Sequence, residues 1–128
     1  MTALMTIALA MAAAFAQAPP VPAPAPPLPL FAAVFTTGPK WDSAKPPGEQ
    51  PLFRDHSANL ASLRAAGRIV MGARYAEVGL VVVSAATEAE ARSLFDADPS
   101  IAGGTFALNV HRFSVFYPGT VGAAPAPK

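Results

Sequence analysis

His56 is the side chain of this sequence best suited to moving a proton. An imidazole titrates near neutrality, at about pH 6.5 when unperturbed, so it can both accept and donate. It lies in FRDHSANLASLRAAGRI, residues 53–69, where Phe53, His56, Leu60 and Leu63 recur at the spacing of one helical face. A histidine there is either a desolvated acid–base group or a hydrogen-bonded core residue, and the residues leave both open. The chain has two histidines and no cysteine, which excludes disulfides, thiolate metal sites and thiol nucleophiles. His56 and His111 fall on different elements and lack paired-ligand spacing, so no metal is expected. The sequence contains no Gly-rich phosphate loop, no HExxH and no G-x-S-x-G elbow, and no cofactor is called for.

Further side chains are candidates for holding a substrate. Trp41, in a loop with Pro39 and Lys45, is either a stacking wall or a hydrophobic plug. Lys45 and Arg54 can hold a carboxylate or can simply be solvated, and the same holds for Arg74 at a strand end. With nine basic and eight acidic residues, and no basic cluster interleaved with aromatics, nucleic acid is excluded as a partner.

The elements that position these residues can be read in order. LFAAVFTT (Leu30–Thr37) is a strand, and the loop GPKWDSAKPPGEQP separates it from a helix that begins near Pro51 or Leu52 and stops at Gly67. RIVMGAR (Arg68–Arg74) and LVVVSA (Leu80–Ala85) are strands joined by a turn. Thr87 and Glu90 form a capping box opening a helix that Pro99 closes, and a last strand runs from about Thr105 to Tyr117. The order β-α-β-β-α-β predicts an α+β, ferredoxin-like domain with a four-stranded antiparallel sheet and two helices on one face. LFAAVF and LVVV are apolar at successive positions, so the second sheet face also requires cover, and a homodimer is expected. Along the last strand the apolar parity changes near His111, which predicts a bulge or a strand end reaching a second surface.

Outside the domain, residues 30–118, the chain reads differently. MTALMTIALAMAAAFA, residues 1–16, is an apolar run ending in Ala14-Phe15-Ala16, as a signal peptide cleaved before Gln17 would, although no Lys or Arg precedes the apolar run. The run is short for a membrane span, so a retained anchor is the alternative and no stable span is expected in the mature protein. Residues 17–29 carry seven prolines and read as an extended linker, and residues 119–128 read as a flexible tail. A periplasmic or secreted location follows.

FRDHSANLASLRAAGRIVMG and EAEARSLFDADPSIAGGTFALNVHRF resemble the YciI-like (YCII-related) family, and TGPKWDSAKPPGEQ resembles a subgroup whose first loop carries GP-x-W, then KP, then EQ. The resemblance covers most of Leu30–Tyr117 and implies a dimeric α+β barrel. It also implies a His–Asp dyad, here His56 and Asp98, the acid preceding Pro99; Asp96 competes for that role, and Asp-Pro alone is also a turn signal. A few relatives perform lyase- or isomerase-like reactions on ring-cleavage or chlorinated aromatic intermediates. Where the family tends to carry Gly-Gly-Pro, this chain has Met71-Gly72-Ala73-Arg74. A carboxylate on one imidazole nitrogen fixes the tautomer and stabilises the imidazolium, which suits general acid–base chemistry without supplying a nucleophile. The expectation is an exported homodimer acting on a small organic acid or ring compound, against a non-catalytic ligand-binding or structural dimer of the same fold.

Overall fold

A computed structural model describes residues 18–122 and 127. The expected export signal lies outside the described residues, as does part of the expected tail. The elements are β1 (Leu30–Thr37), α1 (Phe53–Ala65), β2 (Ile69–Tyr75), β3 (Val78–Ser84), α2 (Glu88–Ser93), α3 (Pro99–Ala102) and β4 (Phe106–Phe113). A single 3-10 turn, Pro47–Glu49, lies in the loop after β1. Residues 18–28 are exposed and carry no regular structure. No described helix is long and apolar enough to cross a membrane.

The sheet order is β2-β3-β1-β4 and every neighbouring pair is antiparallel, giving the expected ferredoxin-like α+β fold. Each helical crossover therefore skips a strand: β3 lies between β1 and β2, and β1 lies between β3 and β4. Period-two alternation sends Phe31, Ala33 and Phe35 of β1, Val81 and Val83 of β3, and Val110 of β4 to one face. Leu60 and Leu63 of α1, Ala91 of α2 with Phe95 just beyond it, and Ile101 of α3 pack against that face, which places the core between sheet and helices.

Local chemistry sets the element ends. α1 closes where Gly67 takes a left-handed φ of 73°, with Arg68 N donating to Leu63 O and Gly67 N to Arg64 O. This is the doubly bonded helix end that glycine favours. Thr87 Oγ1 accepts from Glu90 N at 3.1 Å, but the Glu90 carboxylate turns to Ala86 N and to Arg68 instead of completing a reciprocal box. Asp98 does not merely end a helix. It caps a new one, α3, with Pro99 in the first turn.

The parity change near His111 has a simple origin. β4 pairs with β1 without a register shift from Phe106 to Phe113 and then ends, shorter than expected, so Val115 and Tyr117 lie beyond the strand. The bulge falls instead in edge strand β2, between Ile69 and Met71. On the face away from the helices, Val82 is 1% exposed. Leu30, Met71, Val82 and Phe113 there share a groove of about 560 Å³ with Val115, Tyr117 and Val121.

The loop before α1 is pinned at both ends. Gln50 is buried, and its amide accepts from Asp42 N at 2.8 Å while donating to Asp42 O and Lys45 O. Gly38 N donates to Thr105 O at 2.9 Å, and a Cβ at Gly38 would stand 2.2 Å from Gly104 O. That contact is with backbone, which cannot rotate away. Gly38→Ala should therefore lower stability by about 1–3 kcal/mol, read as a lower urea midpoint at unchanged m-value.

Candidate active site

His56 is the one buried residue of α1, at 7% exposure, because it lies on the stripe that faces the sheet. Its ring is held among aromatic rings: Phe106 at 4.7 Å, Phe35 edge-on at 4.9 Å and Phe53 at 6.2 Å between centroids. These walls fix the ring plane while polar contacts at Nδ1 fix its rotation, with Ser100 Oγ 3.4 Å from that nitrogen. Nδ1 meets Asp98 Oδ2 at 2.6 Å, the pairing that the motif resemblance places at these positions.

Asp98 is 2% exposed, and a carboxylate so placed is stable only when donors surround it. Oδ2 accepts from His56, while Oδ1 accepts from Ser100 N at 3.0 Å and from Ser100 Oγ at 2.6 Å. Burial pushes the carboxyl pKa up. The hydrogen bonds from His56 and from the Ser100 hydroxyl and amide outweigh it and hold Asp98 below the ordinary aspartate value. An ionised Asp98 accepts only, so Nδ1 must carry the proton and Nε2 is the nitrogen left for other chemistry. Among the described residues Nε2 has no hydrogen-bond partner, and it is not among the fully occluded polar atoms.

His56 lines a cleft of about 360 Å³ between α1 and the β2–β3 end of the sheet. Phe53 and Phe106 supply apolar wall, and Arg74 and Glu77 stand on the hairpin side. The tight turn Ala76–Glu77, with Ala76 at φ 48°, brings those two charges to the cleft. Among the described residues neither forms an ion pair. His56, an apolar wall and Arg74 thus border one space.

Of the side chains read as candidates, the fold brings His56, Asp98 and Arg74 together. Trp41 does not line the cleft; it stands behind Phe106, with ring centroids 5.5 Å apart. Lys45 pairs with Asp42 at 3.8 Å inside the Gln50-pinned loop. Arg54 is exposed on the first turn of α1 and does not line the cleft. Asp96 is exposed, which leaves Asp98 as the acid. His111 is exposed on the opposite sheet face, across from Ala32, so the two histidines cannot share a ligand. No cluster of three or more metal-binding side chains exists among the described residues.

Three contributors were not singled out from sequence. Ser100 is recognisable afterwards as the second residue past an Asp-Pro cap, where the capped N–H falls. Gln50 carried no signal beyond its place in the loop motif. Glu77 reads as an ordinary turn residue.

The dyad makes a sharp prediction. In Asp98→Asn, Ser100 retains the amide oxygen and the amide NH2 faces Nδ1, so the imidazole should switch to the Nε2–H tautomer. Imidazole 15N chemical shifts report this directly, and unchanged shifts would show that Asp98 does not set the tautomer. The acid limb of stability should change as well. A carboxyl whose folded pKa is depressed stabilises the fold above its unfolded value, about 3.9, and loses that contribution as pH falls through the lower folded value. Wild type should thus lose stability below about pH 4 more steeply than Asp98→Asn, read by urea midpoints between neutral and acid pH. Asp98→Ala, which strands His56, should cost about 3–5 kcal/mol.

No family model, curated protein or solved structure matches this chain.

Proposed function

We propose that the chain is a YciI-like protein that transfers a proton on a small organic acid or ring compound without a cofactor, as a lyase- or isomerase-type enzyme. The observation that carries this reading is the 2.6 Å bond between His56 Nδ1 and Asp98 in a ring that also borders a cleft. That bond leaves Nε2 as a base with its tautomer already set. In the step we envisage, Nε2 takes a proton from a carbon next to a carboxylate or carbonyl. The C–H electron pair moves into the adjacent π system or expels a ring substituent. The resulting imidazolium is stabilised by Asp98, and it returns its proton to another carbon or to the leaving group. Arg74 can steady the negative charge that gathers on the carboxylate or enolate.

The rival reading is a binding or structural protein in which His56 only satisfies a hydrogen bond. Its support is the tight aromatic packing of the ring at 7% exposure. A screen of pooled small carboxylic acids separates the two. Wild type should convert at least one, and His56→Gln should lower that rate by about 10²–10⁴-fold, the usual worth of a positioned acid–base group. Turnover that survives His56→Gln would refute the dyad as the catalyst.

We also propose that the protein is exported and forms a homodimer through the sheet face away from the helices. Leu30, Val34 and Leu80 on that face are half-buried in one chain. Sedimentation equilibrium at micromolar concentration should return twice the chain mass, and a monomer would overturn this assembly.

A further inference from the structure

A second groove, of about 620 Å³, runs along the seam between α1 and β2. Ala61, Ile69 and Val70 supply its apolar side chains, polar surface makes up about half of the wall, and the exposed Arg64 is its one charged lining residue. The groove and the His56 cleft share three lining residues: Leu60 on the helix side, and Gly72 and Val81 on the sheet side. Gly72 pairs with Val81, whose side chain belongs to the helix-facing core, so a side chain at Gly72 would point toward α1. A Cβ built there meets no atom within 4 Å. Nothing in the packing or the backbone therefore demands glycine at this position. A side chain there would stand where the two spaces meet.

From these observations we propose that Gly72 is a specificity-determining position, and that the ligand is an acid with an apolar tail. The acid head lies with Arg74 and His56 and the tail passes Gly72 into the α1–β2 groove. The proposal rests on the acid–base reading only for what happens to the head; the binding itself does not require turnover. Charge complementarity sets the polarity, because the Arg74 guanidinium has no carboxylate partner among the described residues. Glu77 at the same cleft opposes an anion, and its neutralisation should tighten binding. His56 then faces carbons close to the head, where a carboxylate makes C–H bonds acidic enough for an imidazole to act on.

The test uses the full chain and straight-chain monocarboxylates from propanoate to octanoate, titrated by amide 1H–15N spectra. Affinity should climb about four-fold per methylene once the chain is long enough to pass Gly72. Amides of Val70 and Met71 should then respond along with those of Ala73 and Leu80. Gly72→Leu should retain the affinity for propanoate but flatten the climb and silence the Val70 and Met71 shifts. Gly72→Ala, the smaller change, should flatten it in part and guards against a folding defect in the larger variant. Arg74→Gln should weaken the whole series about ten-fold, Glu77→Gln should strengthen it, and matched alcohols should bind more weakly than the acids. An affinity independent of chain length, or a climb that survives Gly72→Leu, overturns the proposal. The acid–base reading fails on different grounds, namely turnover that persists in His56→Gln, while the chain-length climb stays intact.

Discussion

A carboxylate taken out of water must be met by donors on every side, and Asp98 imposes that demand on the rest of the site. Its donors come from two places: the imidazole of α1, and the backbone amide and hydroxyl of Ser100 in α3. Satisfying one buried charge therefore fixes the approach of α1 to the segment between α2 and β4. The same bonds set the charge state of Asp98, the tautomer of His56 and the direction in which Nε2 can act. Had the acid stood two residues earlier, at the exposed Asp96, His56 would have had no carboxylate to set its tautomer.

Around that bond the fold divides its labour. The centre of the sheet, with Phe35 against Phe95 and Phe106, is a close-packed aromatic core that gives His56 a rigid backing. The β2–β3 end is different in character. β2 is an edge strand, bulged near Val70 and largely exposed, and α1 does not seal it. Rigidity lies behind the imidazole and space lies in front of it, as proton transfer at a bound molecule requires. The pinned loop serves the same end indirectly, because Trp41 backs Phe106 and Phe106 backs the imidazole.

Much of this was legible in the residues. Alternation in LFAAVFTT and LVVVS, with the helical spacing of Phe53, His56, Leu60 and Leu63, determined element types and the side on which the histidine would fall. The β-α-β-β-α-β order then predicted the sheet. What local patterns missed is instructive. Asp-Pro-Ser was read as a stop because proline disfavours helix before it, whereas the same proline opens a helix after it. Of the two readings that the parity change near His111 allowed, the strand end is the one the structure has; a change of surface and a change of register look alike in one dimension. For the site, Asp98 was reached through motif resemblance, because no periodicity links positions on different elements. Lys45 was read as a substrate-carboxylate holder or a solvated charge, and the carboxylate it meets is Asp42 of its own loop, a contact that depends on the fold around Gln50.

The strand order carries a kinetic consequence. β1 lies at the centre of the sheet, yet its partners β3 and β4 follow only after one and two crossovers, with Leu30 pairing with Phe113 and Thr37 with Phe106. Long-range pairings of this kind form late, since loop-closure entropy must be overcome before they contribute. The imidazole of α1 emerges early in the chain and its carboxylate much later, so a partly formed sheet holds a histidine without a set tautomer. Acquisition of the Nδ1–H tautomer thus doubles as a clock for the last stage of folding, readable at a single ring.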